Sequence, residues 1–226
     1  MLFTYTFMDI QSVIFLGATG AVGSEALREL LTIPSAQKIT LLGRREVAGM
    51  PAGRVHQHRI DIFEPSSYAG LISGHEAAIC TLGVGQPSKM SREEFLKIDK
   101  QAVIDFARAC RQAGVAHFEL LSSVGVDASS SSFFLRSKGE LVEELKALGF
   151  PRLSIFRPSM ILTPTNRYGV MQGITLKVWP LLKPLLFGGL KKYRGVKVAD
   201  LGGSMARNLF TSGSGYEELE WEDFQA

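Results

Sequence analysis

Apolar residues along this chain change period repeatedly, from short unbroken runs to helical spacing and back. Val13 to Leu16 is an apolar run that ends at a glycine, and Glu25 to Leu31 follows with helix-forming residues, which predicts strand, turn and helix. Lys38 to Leu42 predicts a second strand, His56 to Ile60 a third that ends at Asp61, and Ala77 to Leu82 a fourth that runs into another glycine loop. Ser91 to Ala113 carries Phe95, Ile98, Val103, Phe106, Ala107 and Cys110 near helical spacing. Ser91 and Glu94 have the spacing of a capping box, and Gly114 stops this helix. His117 to Leu121 is a fifth strand, Phe133 to Leu148 a helix ended by Gly149, and Leu153 to Phe156 a sixth strand closed by Arg157-Pro158. Beyond Ile161 the pattern loosens through Thr163-Pro164 and Gly188-Gly189 until Val198 to Phe210, read as the last helix.

Strands alternating with helices predict an α/β fold of the Rossmann type, a doubly wound, mostly parallel sheet with helices on both faces and a crevice beyond the strands' C-terminal ends. The whole chain, 1–226, is read as one domain. Within it, 1–9 are a flexible extension, 161–212 a C-terminal segment covering the cleft, and 213–226 an acidic tail. The run Glu217-Glu218-Leu219-Glu220-Trp221-Glu222-Asp223 predicts a solvated end.

Composition narrows the function. With 226 residues, 46% of them hydrophobic, the chain can bury a sizeable core. A formal charge of +3 with scattered Lys and Arg argues against nucleic acid as the main partner. Cys80 and Cys110 lack any CxxC or Cys/His spacing, so they are read as buried, inert thiols of a reducing compartment, with no metal site. Met1 to Phe7 is apolar but has no basic flank, and Asp9 interrupts it, so a signal peptide is not expected and Met8 is a second candidate start. No uncharged run reaches the roughly 18 to 20 residues of a membrane span. Trp179 to Leu190 contains Pro180, Lys183 and Pro184 and is read either as a lid or core element or as a surface for a partner. Leu176 to Leu186, with flanking Lys177, Lys183, Lys191 and Lys192, is too short and too broken for stable membrane insertion. A cytoplasmic protein is expected.

The strongest chemical signal is Gly17-Ala18-Thr19-Gly20-Ala21-Val22-Gly23, placed between the first strand and the first helix. Glycines there let the backbone approach a pyrophosphate, and N–H groups at the helix start meet its charge. The end of the second strand distinguishes the two nicotinamide dinucleotides, because an acidic residue would hold a ribose 2′-OH and repel a 2′-phosphate. The residues are Leu42-Gly43-Arg44-Arg45, which favours NADP(H) over NAD(H). Arg44 is the first choice for the phosphate and Arg45 the second. The alternative is that both are solvated loop charges, one of them neutralised by Glu46.

These residues, with Cys80-Thr81-Leu82-Gly83, Leu121-Ser122-Ser123, Lys138-Gly139-Glu140 and Phe156-Arg157-Pro158 in order, resemble the short-chain dehydrogenase/reductase superfamily, and most closely its atypical branch of small Tat-interacting-protein-like oxidoreductases. The resemblance spans Val13 to about Phe210. It implies that Asp61 and the adjoining Ile62 lie near the adenine and that Leu82 and Gly83 line the path to the nicotinamide ribose. Read without it, Asp61 is a strand-end cap and Gly83 a tight turn. Asp99 falls where extended relatives often place an asparagine, and otherwise reads as a surface charge.

The same resemblance implies a Ser, Tyr and Lys catalytic set, in which Lys, one helical turn after Tyr, depresses the phenol pKa and bonds the nicotinamide ribose. Ser122 and Ser123 follow the fifth strand, and Lys138 stands in the lysine position. The tyrosine position is Phe134, which has no proton to give. Phe134 is either a core residue or a pocket wall, and Lys138 a ribose ligand or a solvated helix charge. Ser131, Ser132 and Ser137 are poor proton donors, Tyr168 is the better substitute, and His75 and His117 lack a visible carboxylate partner and read as structural. Two functions follow. One is an NADP(H)-dependent oxidoreductase on a carbonyl or alcohol, with Ser122 or Ser123 polarising the substrate oxygen and Lys138 acting through a water. The other is a dinucleotide-binding sensor that acts through a protein partner or a second copy of the chain.

Overall fold

In the computed structural model, residues 10–85, 89–164 and 186–225 are described. Tyr168 and most of Trp179 to Leu190 lie outside them, as do residues 1–9. β1 (Ser12–Leu16) is buried along its whole length because it runs through the middle of a seven-stranded parallel sheet, with both faces covered. Its neighbours are β2 (Lys38–Gly43) on one side and β4 (Ala77–Cys80) on the other. With β3 (Val55–Arg59), β5 (His117–Leu121) and β6 (Arg152–Phe156), the order is β3-β2-β1-β4-β5-β6. The order reverses between β1 and β4, which opens a crevice at their C-terminal ends.

The helices form two layers. α1 (Ala21–Leu30) lies on one face with α6 (Val198–Asn208), pressed so closely that a Cβ on Gly202 would stand 2.7 Å from the Ala26 nitrogen. On the other face, short α2 (Ala69–Ile72), α3 (Arg92–Leu96), α4 (Ala102–Gln112) and α5 (Phe133–Ala147) cover a core that includes Tyr68, Phe106 and Phe118. The Ser91/Glu94 capping box forms as expected, with Ser91 Oγ accepting from the Glu94 N–H at 3.1 Å. The long helix expected from Ser91 to Ala113 is not uniform, since a π-turn at Lys97–Gln101 separates α3 from α4.

The acidic tail is not a solvated end. Gly215–Leu219 forms β9, parallel to β6 at the edge of the sheet. Its carboxylates have basic partners: Arg152 Nε donates to Glu217 Oε1 at 2.8 Å, and Arg157 pairs with Glu218. Phe224, almost fully buried, stacks on Phe156. Charge counting alone had concealed these anchors. Two short strands, β7 (Ile161–Leu162) and β8 (Val196–Lys197), form a separate parallel pair beside the cleft, while α6 packs on α1 rather than over the cleft.

His117 also departs from expectation, for carboxylates do face it. Its Nε2 lies 2.7 Å from Ser154 Oγ and 3.7 Å from Glu119 Oε1. Asn208 of α6 donates to Glu119 Oε1 at 2.9 Å, and Arg152 and Glu217 close the cluster from β6 and β9. His75 is buried as well, sharing hydrogen bonds with Thr40 and the Ile72 carbonyl. Burial holds His117 neutral, with a pKa lowered to about 3, and pushes the Glu119 carboxyl well above the usual carboxylate range. Their effects on stability have opposite sign. Lowering the pH below the ordinary histidine value destabilises the fold through His117, whose unfolded form takes up a proton that the buried ring refuses. Raising the pH above the ordinary carboxylate range destabilises it through Glu119, whose unfolded form has released a proton that the fold retains. Glu119→Gln removes the second effect. In urea unfolding the variant's advantage over the parent should be smallest near about pH 4 and grow toward about pH 8, with a slope of up to about 1.4 kcal/mol per pH unit. Parallel profiles would mean that Glu119 is ionised in the fold.

Candidate active site

The turn after β1 requires glycine for reasons of space. Gly17 has φ +99, and a Cβ on it would lie 2.7 Å from Thr81 Oγ1; a Cβ on Gly23 would lie 2.2 Å from the Gly17 carbonyl oxygen. That carbonyl accepts from the Gly20 N–H and the Thr81 hydroxyl, each at 3.0 Å, so the turn is tied to the end of β4. β4 stops at Cys80 rather than Leu82, although the Thr81 N–H still donates to the Leu16 carbonyl of β1 at 2.9 Å. α1 then starts at Ala21 with no side chain capping its first turn and no acidic residue in it, which leaves the helix start suited to an anion.

A cavity of about 600 Å³ opens at this point. Gly20, Ala21, Val22 and Gly23 form one wall, Leu82, Gly83 and Val84 a second, and Ser122, Ser123, Phe134 and Lys138 a third. The three loops meet because β1, β4 and β5 are adjacent in the sheet. Ala18 is instead packed in the core and Thr19 is exposed.

Of the two serines, Ser122 has the more distinctive environment: its hydroxyl is buried with no hydrogen-bond partner among the described residues. Ser123 Oγ makes only a long contact, 3.4 Å, to the Val124 carbonyl. Lys138 is not a solvated charge. It is buried, and its Nζ stands 2.7 Å from Oδ1 of Asp99, itself only 3% exposed. Asp99 Oδ2 accepts from the Val84 N–H at 2.8 Å. Gly139, beside Lys138, lets the Asp127–Ala128 backbone cross α5; a Cβ there would lie 2.2 Å from the Ala128 nitrogen. Phe134 combines both readings of it, facing the cavity and packing on Phe95 with ring centroids 5.6 Å apart. Cys80 is fully buried behind the cleft, its thiol pushed up to about 12 by desolvation, and Cys110 is also raised by burial; neither has the character of a nucleophile.

Besides Gly17, Ala18 and Thr19 of the turn, four expected site residues lie away from the cavity walls. Arg44 and Arg45 are exposed beyond β2, and Glu46 pairs with Arg59 at 3.3 Å rather than with either of them. Arg59 ends β3 opposite Gly43, so three guanidinium groups belong to this edge of the crevice. Asp61 accepts from the Phe63 N–H at 2.9 Å, as a strand-end cap does, and Ile62 is a core residue. Sequence reasoning missed the tie made by Thr81 and left Asp99 open. A signal for Asp99 was present: four residues after Phe95 and four before Val103, it falls on the apolar face of its helix.

The residues fit a dinucleotide, with a backbone cradle that any Cβ would fill, an uncapped helix start, and an orphan hydroxyl and a buried cation farther along one cavity. Comparisons with known proteins agree. A family profile described as NAD(P)H-binding matches residues 17–148, more than half of the chain. Protein HTATIP2 of Rattus norvegicus is 33% identical over 214 residues, 94% of this chain and 86% of that protein. Protein FMP52-1, mitochondrial, of Scheffersomyces stipitis is 30% identical over 210 residues, 89% of this chain and 91% of that protein. Such relatives correct the cytoplasmic expectation, since FMP52 proteins from several fungi are designated mitochondrial. Among solved structures, Citrobacter sp. triphenylmethane reductase complexed with NADP(H) superposes with a TM-score of 0.66 at 14% identity, covering 93% of this chain and 69% of that one. MoeE5 in complex with UDP-glucose and NAD gives 0.67 at 18% identity, covering 92% and 76%. At these identities the likeness concerns the fold. Together, profile and relatives show that the chain belongs to the NAD(P)H-binding family of atypical short-chain dehydrogenase/reductase proteins.

Proposed function

We propose that the chain is an NADP(H)-dependent oxidoreductase acting on a carbonyl or alcohol, in which Phe134 replaces the usual proton-transferring tyrosine. The observation that carries this reading is the Ser122 hydroxyl, buried and unpartnered on a wall of the same cavity as the glycine cradle and Lys138. Leaving such a group unsatisfied costs about 1–3 kcal/mol, which a substrate oxygen accepting from it would offset. Ser122 thus polarises the substrate oxygen, with Ser123 secondary to it. A nicotinamide, when bound, supplies or accepts the hydride. Lys138 holds the adjoining ribose hydroxyls and relays a proton through water. Phe134 excludes water from one side of the cleft and transfers nothing.

Arg44 and Arg45 support NADP(H) over NAD(H). Neither is engaged by an ion pair among the described residues, and Glu46, the carboxylate that would compete for them, is taken by Arg59. A second reading, a dinucleotide sensor without turnover, is favoured by Phe134 itself, whose ring stands where a phenol would be needed and is braced by Phe95.

Two substitutions test these assignments. Arg44→Ala should raise the NADPH dissociation constant by about tenfold or more and leave that of NADH within about threefold, by calorimetric titration. Equal losses would remove Arg44 from the phosphate site. Phe134→Tyr should raise the rate of NADPH-dependent carbonyl reduction by about a hundredfold or more, followed by absorbance across a panel of aldehydes and ketones. A rate that stays at background in both proteins would favour the sensor.

A further inference from the structure

The π-turn between α3 and α4 carries two adjacent charges that grip α5 with opposite polarity. Asp99 turns inward and pairs with Lys138 at 2.7 Å, both side chains buried. Lys100 turns outward and pairs with Glu140 at 2.7 Å and Glu144 at 3.2 Å. An uninterrupted α-helix has no extra residue at this point, and π-turns of this kind recur where a helix must aim a functional side chain. Shifting the register by one residue would exchange an acid for a base in the cleft.

The inward carboxylate uses both oxygens, and on different elements. Oδ1 takes the ammonium of Lys138 on α5, and Oδ2 takes the N–H of Val84 in the loop after β4. Gly83 eases the approach, because a Cβ there would stand 3.2 Å from Asp99 Oδ1, a tight contact, and 4.0 Å from Lys138 Nζ. Gly83, Val84, Asp99 and Lys138 all line the cavity. The geometry points to Asp99 as the positioning residue of the cleft. One carboxylate fixes both the cation that holds the ribose and the loop on which that ribose lies. This inference rests on the dinucleotide reading above. A carboxylate suits both donors because an amide in the same place would turn its NH2 toward one of them and would carry no charge to match the ammonium.

The test is calorimetric titration of the full chain with NADPH, with melting temperatures recorded alongside. Asp99→Asn and Lys138→Met should each weaken NADPH binding by about tenfold, and the double variant should bind no worse than the weaker single one, because both act on the same contact. Lys100→Ala, which breaks only the outward bridges, should stay within about twofold of the parent. If Asp99→Asn alone fails to fold because it strands a buried ammonium, the double variant removes both charges and is compared with Lys138→Met. Equal affinities support the assignment; a further multiplied loss overturns it. Wild-type affinity in Asp99→Asn overturns it too. A parent protein that does not bind NADPH overturns the dinucleotide reading and this inference together, whereas parent binding with a silent Asp99→Asn overturns this inference alone.

Discussion

The cleft depends on one close approach, the backbone of the β1–α1 turn against itself and against the end of β4. Gly17 must take a left-handed conformation, Gly23 must pass the Gly17 carbonyl, and Thr81 must donate to that same carbonyl. A Cβ at Gly17 would collide with the Thr81–Leu82 segment after β4, and one at Gly23 would push α1 away from the turn. α1 cannot yield, because α6 lies against it at Gly202 with equally little room. The cradle is therefore rigid through packing on both sides of α1, and the N-terminus of that helix points at one fixed place. Such preorganisation lowers the ordering cost of binding an anion there.

The fold was largely legible in the sequence because its signals are local. Short, largely apolar runs, glycine stops and a capping box mark β1, β2, β4, β5 and β6 and the longer helices, and each responds to nearby residues alone; β3, with the sequence VHQHR, has no such run, and short α2 was not foreseen. β9 was not legible. Its acidic run makes a strand only because Arg152 and Arg157, some sixty residues earlier, face it across the sheet edge, and Gly213 leaves space for the Arg152 guanidinium. His117 is structural as expected, but its carboxylate neighbour was missed for the same reason: Ser154 and Glu119 lie beside the ring and Asn208 bonds Glu119, from three elements. Long-range polar clusters leave no periodic trace.

The site was half legible. Gly20, Gly23, Ser122 and Lys138, each at a fixed place in a motif, were legible as candidates and do line one cavity. The π-turn was not, since a single inserted residue barely disturbs the spacing of Phe95, Val103 and Phe106. Within that turn Asp99 faces the cleft and its neighbour Lys100 faces Glu140 and Glu144. Nor does the sequence reveal that Arg59 removes Glu46 from competition at the end of β2, because the pairing depends on the β2–β3 register.

Charge is distributed unequally along the cleft, and this bears on how Phe134 can stand in a catalytic position. At the end near β2 and β3 the charges are exposed: Arg44 and Arg45, Arg59 paired with Glu46, and Asp61 just beyond β3. At the end near β5 the cation is buried and matched by a buried carboxylate, so the inner cleft carries no net charge from that pair. On the proposed reading, phosphates are recognised by backbone N–H groups and exposed arginines, whereas the ribose and substrate meet a neutral, half-apolar pocket. That reading assigns no binding contact to residue 134. A phenol there could be lost without loosening the dinucleotide, because Lys138 is held by Asp99 rather than by a hydroxyl one turn earlier on its own helix. Binding and proton transfer are thus mechanically separate in this cleft, and a change at Phe134 can alter the second while leaving the first in place.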